Sequence, residues 1–70
     1  MTTEEFRTKY DQVKDLVKGH GPDIANDLGM PYHIYYNVIR GQVTDPEKIS
    51  RVWNAIRSKA EELVASVSDL

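Results

Sequence analysis

At 70 residues, the chain has the length of one small domain, near the lower limit for a self-supporting hydrophobic core. Its 40% hydrophobic and 29% charged residues favour a globular protein over a disordered one, and the lack of cysteine excludes disulfides and thiolate zinc sites. The formal net charge of −2 counts weakly against nucleic acid binding, because DNA-binding domains are often basic.

Several classes of protein are disfavoured by what the pattern lacks. No apolar run approaches the length of a membrane span and the N-terminal segment lacks a signal-peptide core, so we expect a soluble, cytoplasmic protein. His20 and His33 cannot complete a structural metal site alone, and we expect no metal and no cofactor. No nucleophile, base and orienting group stand out together, so we expect neither an enzyme nor a small-molecule substrate.

The charges are unevenly distributed along the sequence. Residues 1–17 and 60–70 are each net acidic, whereas residues 18–59 carry six bases against four acids, a local balance of +2. This distribution modestly favours a phosphate-facing surface in the middle of the chain.

The first predicted helix begins near Thr2 or Thr3 and ends at the segment 19–21. Thr2 followed by Glu5 fits a capping box, in which each side chain bonds the other residue's free amide. Apolar residues then recur at spacings of four, three and four, which predicts one buried stripe. The stripe consists of Phe6, Tyr10, Val13 and Val17, with Leu16 beside them.

Two short helices are predicted next, over residues 22–28 and 31–40. Pro22 and Pro31 suit the first turn of a helix, where the missing N–H costs nothing. Gly29 and Gly41 are expected to end the two helices, since glycine adopts a positive φ without steric cost. The predicted inward residues are Ile24, Ala25, Leu28, Ile34, Tyr35, Val38 and Ile39. The predicted outward residues of the third helix are Tyr32, His33, Tyr36, Asn37 and Arg40.

A long fourth helix is predicted to start after Thr44 or Asp45, which are equally good caps, and no Gly or Pro follows Pro46. A heptad-like pattern continues to the C-terminus, and Trp53 is expected to be the central core residue. The pattern comprises Ile49, Trp53, Ile56, Ala60, Leu63, Val67 and Leu70. Its last part packs either on the first helix or in a homodimer through Ala60, Leu63 and Val67, and the sequence leaves both open. The predicted fold is an all-α, four-helix single domain with a central helix-turn-helix, a core at about 18–58, and a C-terminal helix extension over 59–70.

The second and third helices resemble the helix-turn-helix of the lambda-repressor/Cro-like superfamily. The residues that carry the resemblance are Ile24-Ala25, Leu28-Gly29, Val38 and Arg40-Gly41. In that pattern a small residue lies in the second helix, glycine follows four residues later, and glycine ends the third helix. The resemblance covers about residues 18–58. It departs at Tyr35, where the family usually buries an aliphatic residue, and at Gly21, where many members carry glutamine.

The resemblance implies sequence-specific binding of double-stranded DNA by a transcriptional regulator of bacterial or phage type, with the third helix in the major groove. The implied base-contacting residues are Tyr32, His33, Tyr36 and Asn37. The implied phosphate-contacting residues are Lys18, Gly21, Arg40, Gln42, Lys48 and Arg51. The acidic net charge favours an alternative, a small helical protein-interaction adaptor or antirepressor that uses the tyrosine-rich face of the third helix.

Overall fold

A computed structural model describes residues 1–68 of the chain and the side chains of residues 1–65. Over this range the chain forms helices and turns and no strand. The four helices are α1 (Thr3–Val13), α2 (Gly21–Asp27), α3 (Tyr32–Ile39) and α4 (Pro46–Ser68). The predicted all-α domain, with a central helix-turn-helix and a long C-terminal helix, is confirmed.

One hydrophobic core joins all four helices. The long helix α4 packs against α1, α2 and α3, and α2 packs against α3. With 23 residues, α4 is about 35 Å long at 1.5 Å per residue, so it spans most of the 39 Å long axis of the molecule. The buried residues are Phe6, Val17, Ile24, Ala25, Tyr35, Val38, Ile49, Val52, Ile56 and Ala60.

Helix α1 ends six residues before the predicted stop, so the prediction of a continuous helix to Gly19 is wrong. Its start is as expected, because Thr2 Oγ1 accepts a hydrogen bond from the Glu5 amide at 3.2 Å. After Val13 the chain tightens into turns, and the Leu16 amide bonds the Val13 carbonyl three residues back. This tightening buries Val17 and leaves Leu16 47% exposed.

The turn between α2 and α3 is a Schellman motif. The Met30 amide donates to the Ala25 carbonyl and the Gly29 amide to the Asn26 carbonyl, both at 3.0 Å. Gly29 has φ +66°, which a side chain would strain. The two bonds satisfy the last carbonyls of α2 and fix the corner of the helix-turn-helix.

The end of α3 and the start of α4 are fixed in a similar way. Gly41 has φ +80°, and the amides of Gly41 and Gln42 donate to carbonyls in the last turn of α3. At the start of α4, Asp45 Oδ1 accepts a hydrogen bond from the Glu47 amide at 3.1 Å. Of the two candidate caps, Asp45 is therefore the one that the structure uses, with Pro46 as the first helical residue.

The buried stripe of α4 runs through Val52 rather than Trp53, so the prediction that Trp53 is the central core residue is wrong. Val52 and Ile56 are fully buried, whereas Trp53 is half-buried. The Trp53 ring meets Phe6 edge-on at 6.3 Å, and the Lys9 ammonium lies 5.8 Å from its centroid. The indole thus closes the edge of the core between α1 and α4.

Two of the residues predicted for a dimer seam contact the core of their own chain. Ala60 is 6% exposed and Leu63 packs half-buried against the core, so little of either surface remains for a second copy. Val67, and Leu70 beyond it, lie outside the described side chains.

Among the described helices, none is long and apolar enough to cross a membrane.

Candidate nucleic-acid interface

Three residues spaced by four form a stacked row along the outside of α3. The rings of Tyr32 and Tyr36 lie 6.1 Å apart with an interplanar angle of 21°. The Arg40 guanidinium lies 5.5 Å from the centroid of the Tyr36 ring. Tyr32 and Tyr36 are 50% and 47% exposed. We call this row the α3 ladder; it presents two half-exposed tyrosine rings and one arginine to solvent.

His33 and Asn37 form a neighbouring row, one position further along the helix. His33 is exposed, as predicted, but Asn37 is half-buried. The four predicted base-contacting residues therefore lie on two adjacent rows of the same helix, and three of them are exposed.

A cleft lies between the end of α1, the α1–α2 connection and α3. We call it the tyrosine cleft, because all four tyrosines of the chain line it, and its volume is about 330 Å³. Its lining residues are Tyr10, Lys14, Asp15, Val17, Lys18, Gly19, Gly21, Tyr32, Tyr35, Tyr36 and Ile39. The cleft and the α3 ladder share Tyr32 and Tyr36, so they form one continuous surface.

Gly21 is the point where the aromatic rings rest on α2. A Cβ atom at this position would lie 3.1 Å from Tyr32 Cε2 and 3.5 Å from Tyr35 Cε1. The space that a larger side chain would fill is therefore occupied by tyrosine. This packing gives a physical reason for glycine at the position where the resemblance leads one to expect glutamine.

The cleft has a mixed but partly basic rim. The Lys14 ammonium lies 3.7 Å from Asp11 Oδ1 in an exposed pair, which contributes little to stability. Lys18 is exposed and takes part in none of the ion pairs in the described part of the chain. Asp15 is the acidic residue of the lining. Sequence reasoning missed Lys14, whose place beside α3 depends on the packing of α1.

Burial raises the pKa of Tyr35 well above its ordinary value of about 10, and the neighbouring Tyr10 and Tyr32 raise it further. The pKa of Tyr10 is also raised, first by burial and then by Tyr32 and Asp11. Both phenols hold their protons more tightly than free tyrosine. A protonated phenol can donate one hydrogen bond.

Three other predicted phosphate-contacting residues follow α3 in the chain. Gln42 is exposed in the loop after α3, Lys48 is half-buried in the first turn of α4, and Arg51 is exposed one turn later. None of these residues lines the tyrosine cleft. The structure thus joins Lys18, Gly21 and the two exposed tyrosines in one surface, and leaves Gln42, Lys48 and Arg51 outside it.

No protein-family model, curated protein or solved structure matches the chain. The likeness to the lambda-repressor/Cro-like superfamily therefore stays a prediction that depends on the residues of the helix-turn-helix.

Proposed function

We propose that the chain binds double-stranded DNA in a sequence-specific manner, with α3 in the major groove, as a transcriptional regulator of bacterial or phage type. The observation that carries this proposal is the exposed α3 ladder of Tyr32, Tyr36 and Arg40, whose two tyrosines line one cleft with Lys14 and Lys18. A solvent-facing helix flanked by cations is what groove entry and phosphate contact require.

The two rows of α3 suit different contacts. His33 and Asn37 carry the hydrogen-bonding groups that read base edges, and asparagine can pair with adenine through two hydrogen bonds. Tyr36 offers a ring face to a thymine methyl group. Lys14 and Lys18 would neutralise phosphates on one side of α3. The Arg40 guanidinium lies over the Tyr36 ring. This contact reduces the side-chain entropy that Arg40 loses when it binds a phosphate.

Asp23 and Asp27 are exposed on α2 and oppose this binding by repelling phosphates. We therefore expect one copy to bind weakly and a twofold homodimer to bind tightly, with half-sites one helical turn apart. Ala60 is buried within its own chain, but Leu16 and Val64, each 47% exposed, line a shallow apolar surface beside it that a second copy could cover.

A selection of binding sites from random duplex DNA at low salt tests the proposal. We expect the full chain to enrich a defined sequence. Asn37→Ala should lose the preference at one base position, whereas Arg40→Ala should weaken binding to all sequences alike. Arg7→Ala is the matched control, because it removes an exposed arginine of α1 that is outside the cleft. The absence of any enriched sequence would contradict the proposal.

The second candidate is a protein-interaction adaptor or antirepressor. The same exposed tyrosines favour it, because tyrosine anchors many protein interfaces, and so do the two aspartates of α2. The dependence of binding on salt separates the two candidates. Binding to DNA through several phosphates weakens steeply as salt rises, whereas a tyrosine-centred protein interface responds little.

A further inference from the structure

We propose that the tyrosine cleft is a binding site for a planar aromatic anion the size of one nucleotide. No local sequence pattern predicts this site, because its lining comes from two stretches of the chain, residues 10–21 and 32–39, that only the fold brings together.

The cleft is small and is lined by the planar rings of tyrosines. A volume of about 330 Å³ is at the lower end of the range for small-molecule sites, so it limits the ligand to one or two rings and a charged group. Tyr32 lies 6.0 Å from Tyr35 at an interplanar angle of 32° and 6.1 Å from Tyr36 at 21°. Tyr32 and Tyr36 are about half exposed and can stack with a planar ring, whereas Tyr35, 4% exposed, supports them from below.

The polar groups at the cleft favour an anion over a neutral ring. Lys14 and Lys18 supply two ammonium groups at one side, and the hydroxyl groups of Tyr10 and Tyr35 stay protonated and able to donate. Asp15 opposes this charge, and Asp11 pairs with Lys14 at 3.7 Å. With Asp11 counted, two carboxylates match the two lysines, and Lys18 is the lysine of the lining that takes part in none of the described ion pairs, so it is the cation available to an anion. A phosphate beside a base fits this pattern of donors and rings.

Such a ligand would share Tyr32 and Tyr36 with the α3 ladder. Its binding would therefore compete with DNA and make the cleft an effector site. This consequence rests on the proposed function, whereas the binding of the ligand itself does not.

The test is a titration of the isotope-labelled full chain with adenosine 5′-monophosphate, followed by the amide NMR signals of Gly19, Gly21 and Tyr32. We expect these signals to shift with half-saturation at or below about 1 mM. Adenosine, which lacks the anion, and inorganic phosphate, which lacks the ring, should each bind about tenfold or more weakly. No shift up to about 10 mM, or equal binding of inorganic phosphate and the nucleotide, would overturn the proposal.

Two matched variants distinguish binding of the nucleotide in the cleft from non-specific electrostatic attraction to the protein. Lys18→Gln should weaken binding of the nucleotide about tenfold. Lys9→Gln removes the same charge on α1, beside Trp53 and outside the cleft, and should leave the binding unchanged. Equal effects of the two substitutions would overturn the proposal. Both side chains are exposed, and circular dichroism of each variant checks that the fold is retained.

Such a ligand could be a free nucleotide or an unpaired nucleotide within a DNA strand. Titration with a single-stranded deoxyadenylate hexamer distinguishes these two sources. Binding of the hexamer that is much tighter than that of the mononucleotide assigns the cleft to an unpaired nucleotide of a strand. Comparable binding assigns it to a free nucleotide. These titrations contain no duplex, so their failure leaves the proposed function untouched. Failure of the selection from duplex DNA likewise leaves the cleft untouched.

Discussion

Gly29 is the residue on which the corner between α2 and α3 depends. Its φ of +66° lies in the left-handed region, and a Cβ atom there would meet nothing within 4 Å. The cost of a side chain at this position is therefore conformational rather than steric, and only the backbone geometry requires glycine.

We predict that Gly29→Ala lowers the free energy of unfolding by about 1–2 kcal/mol, the cost of a left-handed conformation for an L-residue. Gly29→Asn should cost less, since asparagine tolerates this region of φ better than alanine. Urea unfolding followed by circular dichroism measures both variants. Equal stability of the alanine variant and the wild type would show that the turn does not need a positive φ.

Tyr35 should make the protein sensitive to alkali. Because burial raises its pKa, the folded state holds the phenol proton more tightly than the unfolded chain. The stability that this gives is complete below about pH 10 and is lost as the pH rises toward the higher pKa of the folded state. Above about pH 10, Tyr35 should lower the free energy of unfolding by up to about 1.4 kcal/mol per pH unit.

Urea unfolding at several pH values between about 9 and 11 checks this expectation. Tyr35→Phe should unfold less readily than the wild type at the alkaline end, while Tyr36→Phe, which changes an exposed ring, should follow the wild type. If Tyr35→Phe lost stability above pH 10 as fast as the wild type, the assigned role of Tyr35 would be wrong.

Among the elements, the end of α1 departs most from the sequence pattern. The spacing of Phe6, Tyr10, Val13 and Val17 suits a continuous helix, but the chain turns after Val13. Both arrangements bury Val17, so periodicity alone could not separate them. The turn determines where Lys14 and Lys18 lie, and so determines the tyrosine cleft.

Substitutions at the adjacent residues Leu16 and Val17 test whether the chain turns after Val13 as described. Val17→Ala should lower the free energy of unfolding by about 1–3 kcal/mol, because it removes two methyl groups from a side chain that is 4% exposed. Leu16→Ala should change it by less than about 0.5 kcal/mol, because that side chain is 47% exposed. Thermal or urea unfolding measures both. A larger loss for Leu16→Ala would place Leu16, not Val17, in the core.

The sequence predicts the helix-turn-helix well, because its signals are local. Gly29 and Gly41 end α2 and α3 where positive φ is needed, and Pro31 precedes the first residue of α3. The position of Trp53 was harder to predict, since stripes through Val52 and through Trp53 both fit a period of 3.6 residues. Packing of α4 on the other three helices decides between them.

At the scale of the whole molecule, the candidate site could be predicted only in part. The helical period of α3 is enough to predict which of its residues face outward, and Tyr32, His33 and Tyr36 are exposed as expected. The tyrosine cleft requires α1 to be placed beside α3, and no local pattern encodes that contact. Tyr10 and Lys14 therefore become part of the site only in the folded chain.

The net charge of −2 describes the whole chain and gives little guidance about this surface, because the cleft lining has its own balance of charges, with Lys14, Lys18 and Asp15. Arg40 belongs to the α3 ladder, while Glu61 and Glu62 are on α4 and pair with bases of that helix. A local cluster of cations can bind phosphates even when the whole chain is slightly acidic.

The dependence of DNA affinity on salt concentration, measured with the selected duplex, is the most direct test of the central claim. That claim is that α3 lies in the major groove while cations beside it contact the flanking phosphates. A plot of the logarithm of the binding constant against the logarithm of salt concentration should fall linearly, by about 0.9 for each phosphate neutralised. Lys18→Gln should reduce this slope by about 0.9, and Lys9→Gln should leave it unchanged. A flat plot, or equal slopes for the wild type and Lys18→Gln, would contradict the account.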